Sequence, residues 1–209
     1  MSPPPPITIR PIPPSSTHAL RHSVLWPHKP LEYVILDEDE QGWHFGAFLA
    51  SPEAPQGDGQ GAGEGEELEL GEPVSVISCF LEPLPEDLLP SASSSSTPRT
   101  GRFRKFATSP AHQRQGIGRA LLLYTLRFLT SLPDEDRNSS RGGKGVRRVW
   151  CDARWEKRGF YERVGMTAVR PPPRDAHEGG EEGPTFYKGD IPYVRMVLDV
   201  EDLQEGTST

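Results

Sequence analysis

The most informative stretch of the chain is Pro110-Ala-His-Gln-Arg-Gln-Gly-Ile-Gly-Arg-Ala-Leu-Leu122. Just before it, Phe103–Thr108 alternates Phe103, Lys105 and Ala107 against Arg104, Phe106 and Thr108, which is the period of a strand. From Gly116 the period changes. Ile117, Ala120, Leu121, Tyr124 and Phe128 recur at three- and four-residue spacing, with Arg119, Arg127 and Thr130 on another face, until Pro133 ends the pattern. A glycine-rich turn therefore sits between a strand and a long helix. Gly116 and Gly118 lack Cβ atoms, so a ligand can approach the backbone there and successive N–H groups can point into one concavity. The helix adds the unsatisfied amides and positive dipole end of its first turn, which favour a diphosphate. Gln113, Arg114, Gln115 and Arg119 supply further donors. The Walker pattern fails because Arg119 and Ala120 follow Gly118 where Lys and Ser or Thr are needed. The dinucleotide fingerprint fails because Leu121 stands where its third glycine belongs.

Outward from this segment, short strand-like runs alternate with helical patterns, as in an α/β (α+β) protein. A first helix is expected from Ser15 to Thr17, whose hydroxyls can cap it, with Leu20, Val24 and Leu25 turned inward and an end before Pro27. Tyr33–Leu36 and Trp43–Leu49 read as a hairpin across the acidic turn Asp37–Gly42, and Pro73–Leu81 as a further strand. Val146–Cys151 reads as a strand, Glu156–Val164 as a short helix closed by Gly165, and Met166–Val169 and Tyr193–Val200 as the last strands. Ser51–Gly71, Ser91–Gly101, Pro133–Gly145 and Pro171–Pro184 have the composition of solvated loops.

A length of 209 residues suits one domain spanning 1–209. The formal net charge of -7 argues against a nucleic-acid surface, which needs a basic field. Cys79 and Cys151 each lie in an apolar strand-like run and read as buried free thiols, which fits a reducing compartment. The start of the chain lacks the blocks of a signal peptide, and no 18-residue apolar run occurs, so a soluble cytoplasmic protein without a membrane partner is expected. No His, Cys and carboxylate spacing suggests a metal.

Gln113–Gly118 resembles the pyrophosphate loop of the GNAT superfamily, Gln/Arg-x-x-Gly-x-Gly/Ala, with that family's Pro at Pro110 and its amphipathic helix afterwards. CDARWEKRGFYERVGM, Cys151–Met166, is similar to the family's later strand and helix, and Gly189–Met196 is close to a Gly-Ile-Pro-His-x-x-Met strand of one bacterial branch, with Tyr193 in place of its His. The resemblance implies a central mixed, mostly antiparallel, twisted sheet of six to seven strands with a V-shaped splay, flanked by helices. It implies acetyl-CoA as cosubstrate, held by Phe106, Ala107 and Thr108 on the splayed strand, by Gln113, Arg114, Gln115, Gly116, Ile117, Gly118 and Arg119 in the loop, and by Arg154, where many members carry Asn.

Acyl transfer from a thioester needs a neutral amine, a held carbonyl and a proton for the departing thiolate. Tyr161 falls on the family's helix Tyr and is the expected general acid. Asp152, on the strand that faces the acetyl group in this family, is the leading candidate for the base, although an ordinary Asp titrates near 4. Acceptor contacts are assigned to Arg21, Trp26 and Tyr193, and His112 is expected at the surface or near the cofactor. The expected activity is N-acetylation of a small-molecule amine by a monomer or homodimer. Acetylation of a protein or peptide is one alternative; a non-catalytic acetyl-CoA-binding module is another.

Overall fold

The computed structural model of the protein describes residues 5–50, 71–85, 99–133, 146–169 and 185–199. The four stretches expected as loops lie outside these residues except for Gly71, Arg99–Gly101 and Pro133. Of those, Thr100 and Gly101 open a strand rather than close a loop.

The described elements are β1 (Ile7–Pro11), α1 (Ser15–Leu25), β2 (Trp43–Leu49), β3 (Ser75–Leu81), β4 (Thr100–Thr108), α2 (Ile117–Ser131), β5 (Arg148–Arg154), α3 (Arg158–Glu162), β6 (Thr167–Val169), β7 (Phe186–Lys188) and β8 (Ile191–Asp199). The strands make one mixed sheet in the order β1-β2-β3-β4-β5-β8-β6, with β7 paired to β8. The β4–β5 pair is parallel, whereas β1–β2, β5–β8, β6–β8 and β7–β8 are antiparallel. The parallel register covers only Thr100–Arg102 against Arg148–Trp150, although both strands run on. The described residues group into two compact units. One comprises those up to Ser78 with Lys105–Tyr124, the other Cys79–Arg104 with those from Thr125 onward.

In the first unit, Phe45, Ala47, Val76 and Ile77 are buried, as are Ile117, Leu121 and Leu122 of α2. The strand β1 was not anticipated, because prolines crowd it. It lies at the edge of the sheet, where proline is tolerated, and pairs with β2 from Ile7↔Leu49 to Pro11↔Phe45. The expected hairpin is absent: Leu31–Val34 is a turn of 3-10 helix. Side chains satisfy the backbone there, since Arg21 donates to the Val34 carbonyl and the Leu36 amide donates to Asp39. In α1 the buried positions are Thr17 and Arg21, not Leu20, Val24 and Leu25, and Thr17 donates its hydroxyl to the Pro14 carbonyl instead of capping an amide.

In the second unit, Leu84, Trp150 and Val197 pack together with Val169 against them. Leu129 of α2 lies over Gly101, where an added Cβ would meet its methyl carbons at 3.1 and 3.2 Å. The buried positions of α2 in this half are Thr125, Leu126 and Leu129, while the expected inward residue Tyr124 is exposed and meets Phe45 edge-on at 5.2 Å in the first unit. Gly165 has φ +89° and ends the segment after α3, as expected of a helix stop. Cys79 and Cys151 are both buried and free, and burial raises both thiol pKa values, so neither is a thiolate.

Candidate functional site

The loop between β4 and α2 has the backbone of an anion cradle. Arg114 (φ +61°) and Gly116 (φ +84°) are both left-handed, the alternation that turns neighbouring amides toward one side. The first backbone bond of α2 runs from the Ala120 amide to the Gly116 carbonyl, 2.9 Å. The Ile117, Gly118 and Arg119 amides precede it and have no intrahelical acceptor. Gln113, Arg114, Gln115 and Arg119 are exposed, which leaves two guanidinium groups for a ligand of high negative charge. Gln113 and Gln115 are folded back, donating to the Thr108 and Ala111 carbonyls at 3.0 Å, so they brace the loop. His112 is partly buried and its Nδ1 is sunk without a partner among the described residues.

Gly118 serves a different purpose from the one its sequence position suggests. A Cβ there would stand 3.0 Å from Thr108 Oγ1 and 3.4 Å from Phe106 Cζ, so its bareness lets α2 approach β4 rather than opening space for a ligand. Thr108 is itself fixed, its hydroxyl 2.7 Å from Ser75 Oγ. Upstream on β4, Lys105 is left-handed at φ +51° and places its ammonium 4.0 Å from the centre of the Trp26 ring, while Ala107 is buried. A non-glycine residue held at such φ marks local strain of about 1 kcal/mol.

Arg21 is wholly buried. Its Nη1 and Nη2 grip Asp39 bidentately at 2.7 and 2.8 Å, and they also reach the Val34 carbonyl and Ser78 Oγ. With its fork committed inside the first unit, Arg21 is a structural cation and not an acceptor contact. Burial by itself would raise the Asp39 pKa, but hydrogen bonds from Arg21 and the Leu36 amide, with the Arg21 charge, outweigh it and lower the value. His44 completes the cluster: one ring nitrogen meets the Asp39 carbonyl at 2.7 Å and the other Ser78 Oγ at 2.7 Å. Burial lowers its pKa.

In the second unit, Asp152 accepts from Arg102 (2.7 Å), Lys188 (2.8 Å) and Arg195 (2.8 Å). Burial would raise its pKa, yet the bonds from Lys188 and Arg195 and the surrounding positive charge bring it below the ordinary value. A carboxylate so held has little affinity for a proton, which argues against Asp152 as the base. Tyr161 packs edge-on to Phe160 and tilted on Phe103, at centroid distances of 5.1 and 5.9 Å. Burial, with a further contribution from Cys151, raises its pKa well above the ordinary phenol value, so it keeps its proton at neutral pH.

No protein-family profile matches the chain. Over 158 residues it is 25% identical to an uncharacterized N-acetyltransferase, YitI, of Bacillus subtilis, covering 75% of this chain and 79% of that one. Arabidopsis thaliana NAA60 in complex with acetyl-CoA superposes with a TM-score of 0.58 at 15% identity, over 94% of this chain and 99% of that one. FeeM, an N-acyl amino acid synthase from uncultured soil microbes, does so with a TM-score of 0.56 at 11% identity, over 98% and 96%. The chain shares the fold of the GNAT acetyltransferases.

Within this fold the remaining expected residues have defined surroundings. Trp26 is partly buried and meets Tyr33 edge-on at 5.5 Å in the first unit. Tyr193 is 7% exposed, stacked on Phe186 at 5.7 Å with Lys188 Nζ 5.0 Å from its ring, which leaves little of it to touch an acceptor. Arg154, partly exposed at the end of β5, is paired in register with Tyr193. Sequence reasoning missed the cations around Asp152. Arg102 and Arg104 alternate on one face of β4, a signal legible in the sequence, but the Asp152↔Arg195 register was not. Among the described residues no helix is long and apolar enough to cross a membrane, and no group of three His, Cys, Asp or Glu side chains is gathered to hold a metal.

Proposed function

We propose that this protein transfers the acetyl group of acetyl-CoA to a primary amine, most simply that of a small molecule. The observation that carries the reading is the cradle at the start of α2: two left-handed residues, three first-turn amides without an intrahelical acceptor, and the exposed guanidinium groups of Arg114 and Arg119. Those features fit the diphosphate of acetyl-CoA, a compact ligand with several negative charges. Phe106, Ala107 and Thr108 follow the same strand into the loop and are assigned to the pantetheine arm and the thioester carbonyl, with Gln113, Gln115, Gly116, Ile117 and Gly118 shaping the cradle. Arg154 is assigned a further cofactor contact.

In the reaction the amine nitrogen attacks the thioester carbon, the carbon–sulfur bond breaks, the amine loses a proton and the thiolate gains one. Tyr161 is assigned to the departing sulfur. Its raised pKa makes full proton transfer to a thiolate uphill by about 1.4 kcal/mol for each unit of mismatch, so it acts chiefly as a hydrogen-bond donor that stabilises the charge on sulfur, and the thiolate takes its proton from water. The amine proton leaves to water, since Asp152, bonded to Lys188 and Arg195, has too little affinity for it. The acceptor is assigned to the face of β5 and β8 that carries Asp152.

A thiol-release assay with acetyl-CoA against polyamines, amino acids, aminosugars and peptides tests the reading. Turnover of small amines is expected. Turnover of peptides alone would move the acceptor to protein N-termini or lysines, and acetyl-CoA binding without turnover of any amine would reduce the protein to a binding module. In the same assay Tyr161→Phe is expected to lower the maximal rate by about 10²-fold with little change in the KM for acetyl-CoA. An unaltered rate removes Tyr161 from the mechanism.

A further inference from the structure

From the second unit we infer that the acceptor amine also carries an anionic group, a carboxylate or a phosphate, which docks on a cationic face built by Lys188 and Arg195 and backed by Arg102 and Arg104. The inference rests on the acetyl-transfer reading above and specifies its substrate.

The face is set by strand geometry. Alternation puts Arg102 with Arg104 on one side of β4, and Trp150 with Asp152 on one side of β5. The register then places Arg102 opposite Trp150 and Asp152 opposite Arg195. Lys188, at the end of β7, reaches the same carboxylate. Glu82, just after β3, binds Arg102 and Arg104. Among the described residues four cations thus stand against two carboxylates, on a chain whose formal net charge is -7. Arg154, two residues beyond Asp152, adds a positive charge, and Asp190 in the turn before β8 a negative one, so the balance among the described residues is unchanged.

One cation would neutralise Asp152, which is 5% exposed; three are drawn to it. They are committed to different degrees. Both Nη atoms of Arg102 are used, one on Glu82 and one on Asp152. Arg195 uses its Nε, which leaves the Nη pair, the two-pronged end suited to a carboxylate or phosphate, without an acceptor among the described residues. Lys188 is half-exposed and gives one of three donors to Asp152.

Aromatic rings hold these heads still. The Arg195 guanidinium lies 5.2 Å from the centres of both Trp150 and Phe186, Arg102 lies 4.2 Å from Trp150, and the Lys188 ammonium lies 5.0 Å from Tyr193. A cation fixed over an apolar floor attracts an anion more strongly than one free in water, because solvent screens it less. Tyr193, largely buried, thus acts as part of that floor.

The test compares acceptors that differ only in charge: alanine with alaninamide, and phosphoethanolamine with ethanolamine. The anionic member of at least one pair is expected to have a kcat/KM higher by about tenfold, and which pair shows it separates carboxylate from phosphate. In Lys188→Gln/Arg195→Gln that ratio should fall to within about twofold, and in Arg195→Lys it should be partly kept. Lys188→Gln alone, at a half-exposed position, guards against loss of fold, which thermal unfolding reports. Equal turnover within both pairs, or a preference that survives the double substitution, overturns the inference while leaving acetyl transfer intact. If no amine is turned over, acetyl transfer itself fails. The docking face is then judged by calorimetry with N-acetylalanine, N-acetylalaninamide and phosphoethanolamine: an anion that binds more tightly than the amide supports it, and no difference overturns it.

Discussion

Replacing Gly118 with alanine adds one methyl group at a position where two opposing effects can be weighed. Alanine is the better helix former by about 1 kcal/mol in a helix interior, and less than that here, because Gly118 is the second residue of α2. Against this, the new carbon would sit 3.0 Å from Thr108 Oγ1 and 3.4 Å from Phe106 Cζ. Oγ1 cannot retreat freely, since it is bonded to Ser75 Oγ at 2.7 Å. Overpacking of this kind costs about 1–3 kcal/mol, so a net loss of about 1 kcal/mol is expected, or about 2–4 °C in Tm for a chain of this length.

A double-mutant cycle isolates the contact. Thr108→Ala removes Oγ1 at a cost of about 1 kcal/mol for its hydrogen bond, and on that background Gly118→Ala should become neutral or slightly stabilising. The coupling between the two substitutions is then about 1–2 kcal/mol and favourable. Urea unfolding of the four proteins measures it. If Gly118→Ala stabilises the parent protein by the full helix-propensity gain, and the cycle shows no coupling, the close approach of α2 to β4 is not what requires glycine, and the view of Gly118 as an opening for ligand returns.

Arg21→Met is expected to destabilise by about 3–5 kcal/mol by leaving Asp39 buried without its bidentate partner; adding Asp39→Leu should recover a large part, and a loss below about 1 kcal/mol in the single variant by chemical denaturation would contradict the burial argument. His44 gives a pH dependence. Because burial lowers its folded pKa, the unfolded chain takes up the proton first as pH falls below the ordinary value of 6.5. Stability should therefore decline from about pH 6.5 downward, by up to about 1.4 kcal/mol per pH unit from this group. Urea curves for the parent and His44→Gln between pH 7 and 5 should diverge in slope, and parallel curves would remove His44 as the cause.

The parts of the fold legible in the sequence are those set by local pattern. The helix α2 was readable because its apolar period is long and Pro133 stops it. The trend of β3, β4 and β5 followed from alternation and β-branched runs, and the cradle from glycine spacing between a strand and a helix. What escaped was decided by distant partners. Tyr33–Leu36 has the composition of a strand, but Arg21 and Asp39 take up backbone groups that a ladder would have used. Arg21 itself looked like a surface residue able to greet a substrate; only the bidentate bond to Asp39, 18 residues away, makes its burial affordable. For Asp152 the residue type was informative and its role was not, because the three cations that surround it come from β4, β7 and β8.

The contrast between the two lowered carboxylates separates scaffold from function. Asp39 meets one guanidinium in a bidentate pair within a buried cluster, so charge is matched inside the first unit and nothing is left to direct outward. Among the described residues Asp152 meets three cations of which two are only partly used, and the charge left unmatched there faces solvent through Lys188, which is 50% exposed. A need for stability alone is met by matched charge, since an unmatched cation near a sheet adds repulsion and little binding energy. Excess positive charge that is held in place by rings is therefore the signature to pursue, and the anion it would accept is supplied by the substrate.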